Sequence, residues 1–172
     1  MTHSNQITTP SVNDNIVNVI IEIPIGSLQK IEWNPKTKVM EVDRLEPTNF
    51  PFPVNYGFIP QTISGDKDRL DVIIPIDNVI PTNTSLSAKI IGIMKFEDEG
   101  KLDDKIVVVP TSETTINSLD DISKSKIEQI TYFFNHYKDS EKPGTTIVKG
   151  WGNKEEAKEI ISKSIERWKS NK

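Results

Sequence analysis

From residue 16 onward the chain is written in short Val- and Ile-rich runs, over residues 17–23, 28–33, 39–44, 72–76, 86–96 and 106–109. Pro, Gly, Asn and Asp punctuate them. β-Branched side chains fit a pleated, half-buried surface and the punctuating residues favour turns, so the pattern predicts strands. The eleven prolines agree, since all lie outside any helical pattern. Several crowd into residues 47–60 (PTNFPFPVNYGFIP), which reads as an irregular aromatic and proline segment.

Past Pro110 the period changes. Ile127, Ile130, Phe134 and Tyr137 fall at spacings of 3, 4 and 3, one face of a helix. After Gly150-Trp151-Gly152, Asn153 followed by Glu156 has the form of a helix start, and Ala157, Ile160, Ile161, Ile165 and Trp168 supply an apolar stripe. Residues 1–15 hold one valine, one isoleucine and no periodicity, and read as a flexible tail. Residues 16–172 then form one domain, of a length that buries about 70% of the unfolded chain's surface. The expected fold is α+β but β-rich: a closed or nearly closed barrel with two main helices toward the C-terminus.

Composition narrows the function. A net charge of −4 with 27% charged residues argues against a general nucleic-acid binder, which would carry a basic stripe. The absence of cysteine removes disulfides, thiolate metal sites and cysteine nucleophiles. With His3 and His136 as the only histidines, a histidine-rich zinc centre or a Ser-His-Asp triad is disfavoured. MTHSNQITTPSVNDN has neither a charged nor an apolar signal region, and the apolar stretches 19–25 and 90–94 are too short to span a bilayer. A cytoplasmic protein with no membrane partner is the expectation.

The informative feature is where the acids sit. Asp66-Lys67-Asp68-Arg69-Leu70-Asp71 runs directly into Val72-Ile73-Ile74, and a second group, Asp98-Glu99-Gly100 then Asp103-Asp104-Lys105, runs into Ile106-Val107-Val108. If the first segment is extended, Asp66 and Asp68 share a face while Lys67 and Arg69 point away, and Asp71 joins the pair only if the loop bends. Each cluster alone reads more readily as a solvated loop than as a site. An EF-hand fails, because Asp71 and Asp77 occupy the positions that need Gly and Glu, and a strand follows. Carboxylates brought within a few ångströms of one another need protons or cations between them. With oxygen donors only, the implied cation is Mg²⁺ or a similar hard ion. Lys30, Glu32, Arg44, Tyr137 and Lys138 form a complementary set at strand and helix ends, each readable by itself as a salt bridge or a core contact. Acids with Arg, Lys and Tyr suit a phosphate oxyanion that arrives with metal ions.

Taken in order, VIIEIPIGSLQKIEW, VDRLEPTNFPFPVNYGFIP, DKDRLDV, DEGKLDDKIVVVP, YFFNHYKDSEKPG and KGWG resemble the soluble, metal-dependent inorganic pyrophosphatases of the single-barrel type. The resemblance runs from about Val19 to Trp151 and on through the C-terminal helix. It implies a five-stranded OB-like barrel flanked by helices, and hydrolysis of pyrophosphate to two phosphates, which keeps pyrophosphate-releasing biosynthesis moving forward. By the same resemblance, Asp66, Asp71 and Asp103 hold activating metals, Asp71 shared between two. Asp98 joins Asp103 on a further ion, and Glu22 and Glu32 serve metals that come with the substrate. Asp68 accepts the proton of the attacking water. Lys30, Arg44, Tyr56, Lys105, Tyr137 and Lys138 bind or orient phosphate, with Arg44, Tyr56 and Lys138 counted beside Asp68 as catalytic. Several Mg²⁺ ions per site, with Mn²⁺ as an alternative, and a homo-oligomer, usually a hexamer in small prokaryotic members, follow from the same kinship.

The chain departs from the family pattern at Lys67, Arg69 and Phe52. The family usually has a small or acidic residue, then Pro or Glu, at the first two positions and often tyrosine at the third. Two extra cations could weaken metal binding by about 1 kcal/mol, less if they face away. Reduced metal affinity or an altered rate is expected rather than inactivity. The rival reading is a non-catalytic barrel that binds phosphate or metal. Such a copy should have lost at least one of Asp66, Asp68, Asp71, Asp98, Asp103, Arg44 or Lys138, and all are present.

Overall fold

The computed structural model describes residues 15–45 and 50–171. The proposed tail therefore lies almost wholly outside the described residues. The elements in chain order are β1 (Ile16–Ile23), β2 (Gln29–Asn34), β3 (Val39–Leu45), β4 (Asn55–Ile59), β5 (Leu70–Ile74), β6 (Ser85–Asp98), β7 (Lys101–Leu102), β8 (Lys105–Pro110), α1 (Lys124–His136), β9 (Thr146–Gly152) and α2 (Lys154–Ser170).

Five strands close on themselves. The order β1-β4-β5-β8-β6 is completed by pairing of β6 back to β1. Every pairing in the ring is antiparallel except β5–β8. Closure depends on the 14-residue β6, whose first half pairs with β1 and whose second half pairs with β9. Gly57 allows β4 to lie tightly on β1, since a Cβ there would come within 2.1 Å of the Ile20 carbonyl oxygen. β2 and β3 form a separate two-stranded hairpin outside the ring.

Alternation along the strands sorts their side chains into two cores. Val19, Ile21, Val72, Ile74, Ile90, Ile106 and Val108 meet inside the barrel, against Ala157, Ile161 and Ile165 of α2. The intervening Ile73, Ile91, Val107 and Val109 face outward, where Phe133 and Phe134 of α1 cover them together with Phe52 and Phe96. Both helices start on a side-chain cap. Ser123 accepts from the Lys126 amide at 3.2 Å, and Asn153 and Glu156 form a reciprocal capping box at 2.9 and 3.0 Å.

The predicted strand runs all became strands, and both helices form where the periodicity placed them. Two strands of more than two residues went unread. β4 lies inside the proline segment that reads as irregular, and β9 precedes the Asn153 cap. In β4 the prolines flank the strand instead of interrupting it, at Pro53 and Pro60, so the ladder from Asn55 to Ile59 keeps its amides.

Candidate active site

The outward parity that carries Ile73 and Val107 also carries Asp71 and Lys105, two residues earlier on β5 and β8. Asp98 shares parity with Phe96 on β6. These polar groups stand at the edge of the aromatic core, around an open cavity of about 150 Å³. Glu22 enters from β1, Lys30 and Glu32 from β2, and Tyr56 from β4. Asp66 and Asp68 come from the loop before β5, Asp103 from the loop before β8, and Tyr137 and Lys138 from the end of α1. The structure thus brings together every side chain singled out from the sequence except Arg44. That residue faces Lys30 across the hairpin, but its side chain lies outside the described residues.

Lys105 is the buried centre of the network. Its ammonium donates to Asp71 Oδ2 at 2.7 Å and to Asp103 Oδ2 at 2.8 Å, and only 1% of its side chain is exposed. Burial alone would depress its pKa, but Asp71, Tyr56 and Asp103 outweigh that and hold it protonated. The Tyr56 hydroxyl donates to the same Asp71 oxygen at 2.8 Å. Burial, then the Asp71 charge, keep that phenol from ionising, and burial pushes Tyr137 up to about 12. Both phenols therefore remain donors. Elsewhere in the lining Lys138 donates to Asp98 Oδ2 at 2.5 Å, and the ion pair of Lys30 with Glu32 closes at 2.9 Å.

The carboxylates are crowded. Burial, with the Asp71 charge, raises Glu22 to about 8, and burial raises Asp103 to about 7 even against the attraction of Lys105. Asp98 Oδ1 is buried and makes no hydrogen bond among the described residues. Such a wall has more negative charge than its own cations satisfy, and its donors are all hard oxygens, which fits a divalent ion of the magnesium class. The acids do not form a closed cage. Among the described residues no three His, Cys, Asp or Glu side chains converge on one point, because Lys105 stands between Asp71 and Asp103 and Lys138 covers Asp98.

The loop before β5 corrects the extended reading. The Ser64 amide donates to the Asp68 carbonyl at 2.7 Å and the Lys67 amide to the Ser64 carbonyl at 3.0 Å, with Lys67 at φ +73°. Ser64 Oγ and the Asp68 amide, the latter at 3.1 Å, both donate to Asp66 Oδ1. In this tight turn Asp66 and Asp68 both reach the cavity, and Lys67 is sent out to a neighbouring one. Arg69 does not point away. It lines the same cavity as the aspartates, 3.6 Å from Glu22 Oε2 and from Asp68 Oδ1. The Ser64-Gly65 pair directly ahead of the aspartates was the available signal for the turn. Phe52, where a tyrosine is common in the family pattern, is buried with its ring 6.1 Å from Tyr56 and 4.8 Å from Phe133. It lines the cavity without a hydroxyl.

Comparison with known proteins points the same way. The family model described as inorganic pyrophosphatase matches residues 19–169. Inorganic pyrophosphatases of Neisseria meningitidis serogroup B and Haemophilus influenzae are 49% and 50% identical to the chain, over 98% of both sequences in each pair. The crystal structure of an inorganic pyrophosphatase from Neisseria gonorrhoeae superposes with a TM-score of 0.93 at 47% identity, covering 96% of this chain and 98% of that one.

Proposed function

The chain belongs to the inorganic pyrophosphatase family and hydrolyses pyrophosphate to two phosphates, and we propose that it does so in the cavity at the outer edge of the barrel. The convergence of Asp66, Asp68, Asp71, Asp98 and Asp103 with Lys30, Lys105 and Lys138 around one opening carries this reading. Asp66, Asp71, Asp98 and Asp103, with Glu22 and Glu32, would hold magnesium ions, which when bound lower the pKa of water and offset phosphate charge. Asp98 Oδ1, without a hydrogen bond among the described residues, and the crowded, protonation-prone Glu22 and Asp103 support that assignment.

The chain's own groups divide the remaining work. Asp68 is exposed at the cavity mouth, where its carboxylate takes the proton from the attacking water as general base. Lys30, Lys138 and Arg44 grip the phosphoryl oxygens and neutralise the charge that builds as the bridging bond breaks. Tyr137, held as a neutral phenol, donates a hydrogen bond to phosphate oxygen without adding negative charge, while Tyr56, whose single hydroxyl proton goes to Asp71, keeps that carboxylate oriented toward the substrate. Lys105 fixes Asp71 and Asp103 in place as a buried cation. The protein works in the cytoplasm as a homo-oligomer, with Mn²⁺ as an alternative ion. No described helix is long and apolar enough to cross a membrane.

Phosphate release from pyrophosphate by the purified protein tests the function. Turnover with Mg²⁺ that stops with EDTA and returns on adding magnesium is expected; phosphate release unaffected by EDTA would refute the metal assignment, and no release at all would refute the activity.

A further inference from the structure

The hairpin that carries Lys30 and Glu32 is not hydrogen-bonded into the barrel sheet. It is held at Trp33. The Trp33 amide donates to Glu22 Oε2 on β1 at 2.9 Å, and its carbonyl accepts from Arg69 Nη2 at 3.1 Å. The two peptide groups flanking Trp33 are therefore held, one by each of two residues that also line the cavity. The same guanidinium lies 3.6 Å from Glu22 and, through Nη1, 3.6 Å from Asp68 Oδ1. Its carbon stands 4.4 Å from the centre of the buried Phe58 ring, and its side chain is one-fifth exposed (20%). A flat, stacked fork has few alternative orientations, so its donors stay aimed.

We propose that Arg69 is a positioning residue for the hydrolysis: it clamps β2 to the barrel at Trp33 and steadies Asp68, so that Lys30, Glu32 and the base keep a fixed spacing across the cavity. The inference rests on the function proposed above. It reverses the expectation that a cation at this position only weakens the site. Lys30 lies three residues from Trp33, about 10 Å along a strand, so a small rotation at the clamp is enlarged at the lysine. A displacement of about 1 Å at a catalytic group can cost on the order of a hundredfold in rate. Lysine could not replace the arginine fully, since one ammonium cannot span both the Trp33 carbonyl and the Asp68 carboxylate.

The test compares the parent with Arg69→Ala and Arg69→Lys, using pyrophosphate kinetics with Mg²⁺ and amide hydrogen exchange on the metal-free proteins. For Arg69→Ala, kcat is expected to fall about tenfold and KM to rise about fivefold, the two halves of the clamp showing separately. Arg69→Lys should bring KM back to within about twofold of the parent while leaving kcat low. Exchange of the Trp33 amide should quicken about tenfold in Arg69→Ala, with the β5 amides unchanged. An active parent with unaltered kcat and KM in Arg69→Ala overturns the proposal, as does a lost rate without faster Trp33 exchange. A parent that releases no phosphate would refute the hydrolysis instead, and the Trp33 exchange would still decide whether the clamp exists.

Discussion

The two faces of the barrel wall are built from the same strands one residue out of step, yet they do opposite things. Val72, Ile74, Ile106 and Val108 point inward to an interior of aliphatic side chains closed by Ala157, Ile161 and Ile165. Asp71, Ile73, Lys105 and Val107 point outward, to an aromatic layer that gives way to charge at its edge. The interior can be stable because nothing in it needs a partner. The outer edge holds a fully buried ammonium and two carboxylates that resist ionising, an arrangement costly to fold and useful only to a ligand. Strand parity thus lets one short segment serve stability and chemistry at once.

That division can be attacked from both sides. Asp71→Ala removes the carboxylate shared by Tyr56 and Lys105 and should cut Mg²⁺-dependent phosphate release by on the order of a thousandfold, with the circular dichroism spectrum unchanged. Retained activity would break the assignment of the outer edge. Asp68→Asn keeps the shape of an exposed side chain and should lower kcat by about a hundredfold while divalent ions bind nearly as before; a rate and pH profile equal to the parent's would remove it as base. Ile161→Ala, on the inner face, should lose about 3 kcal/mol of stability in urea unfolding, yet keep kcat within about twofold. A large loss of kcat there would show that the faces are not independent.

The smallest effect concerns Glu22, whose pKa is raised from 4.5 to about 8 by burial and then by Asp71. A carboxyl with a raised folded-state pKa contributes its stability in full below pH 4.5, and loses it as the pH climbs to about 8. In metal-free protein, Glu22→Gln should therefore melt a few degrees above the parent at pH 8–9 and close to it near pH 4. A parent whose melting temperature does not fall across that interval would show that the carboxylate is not strained.

Much of this was legible in the residues because two regular periods carried it. The Val and Ile runs marked β1, β5, β6 and β8, and Asn153 with Glu156 marked the start of α2. The placement of the acids before strands marked Asp66, Asp68, Asp71, Asp98 and Asp103, but their roles, and Glu22 and Tyr56, were legible only through a family pattern, since Asp66, Asp98 and Tyr137 meet only after the barrel closes. What escaped was local backbone shape. β4 was hidden by prolines that flank it, and Arg69 was sent the wrong way because alternation holds only in an extended chain, while residues 64–68 turn. The apolar lining from Ile31 and Phe134 left no signal distinct from ordinary core.

Crystals grown with Mn²⁺ and imidodiphosphate, which lacks the cleavable oxygen bridge, test the central claim most directly. Anomalous peaks should fall among Asp66, Asp71 and Asp103, with the analogue's phosphoryl oxygens against Lys30, Lys138 and Tyr137. Manganese and analogue bound elsewhere on the protein, with the outer edge of the barrel left empty, would contradict the account.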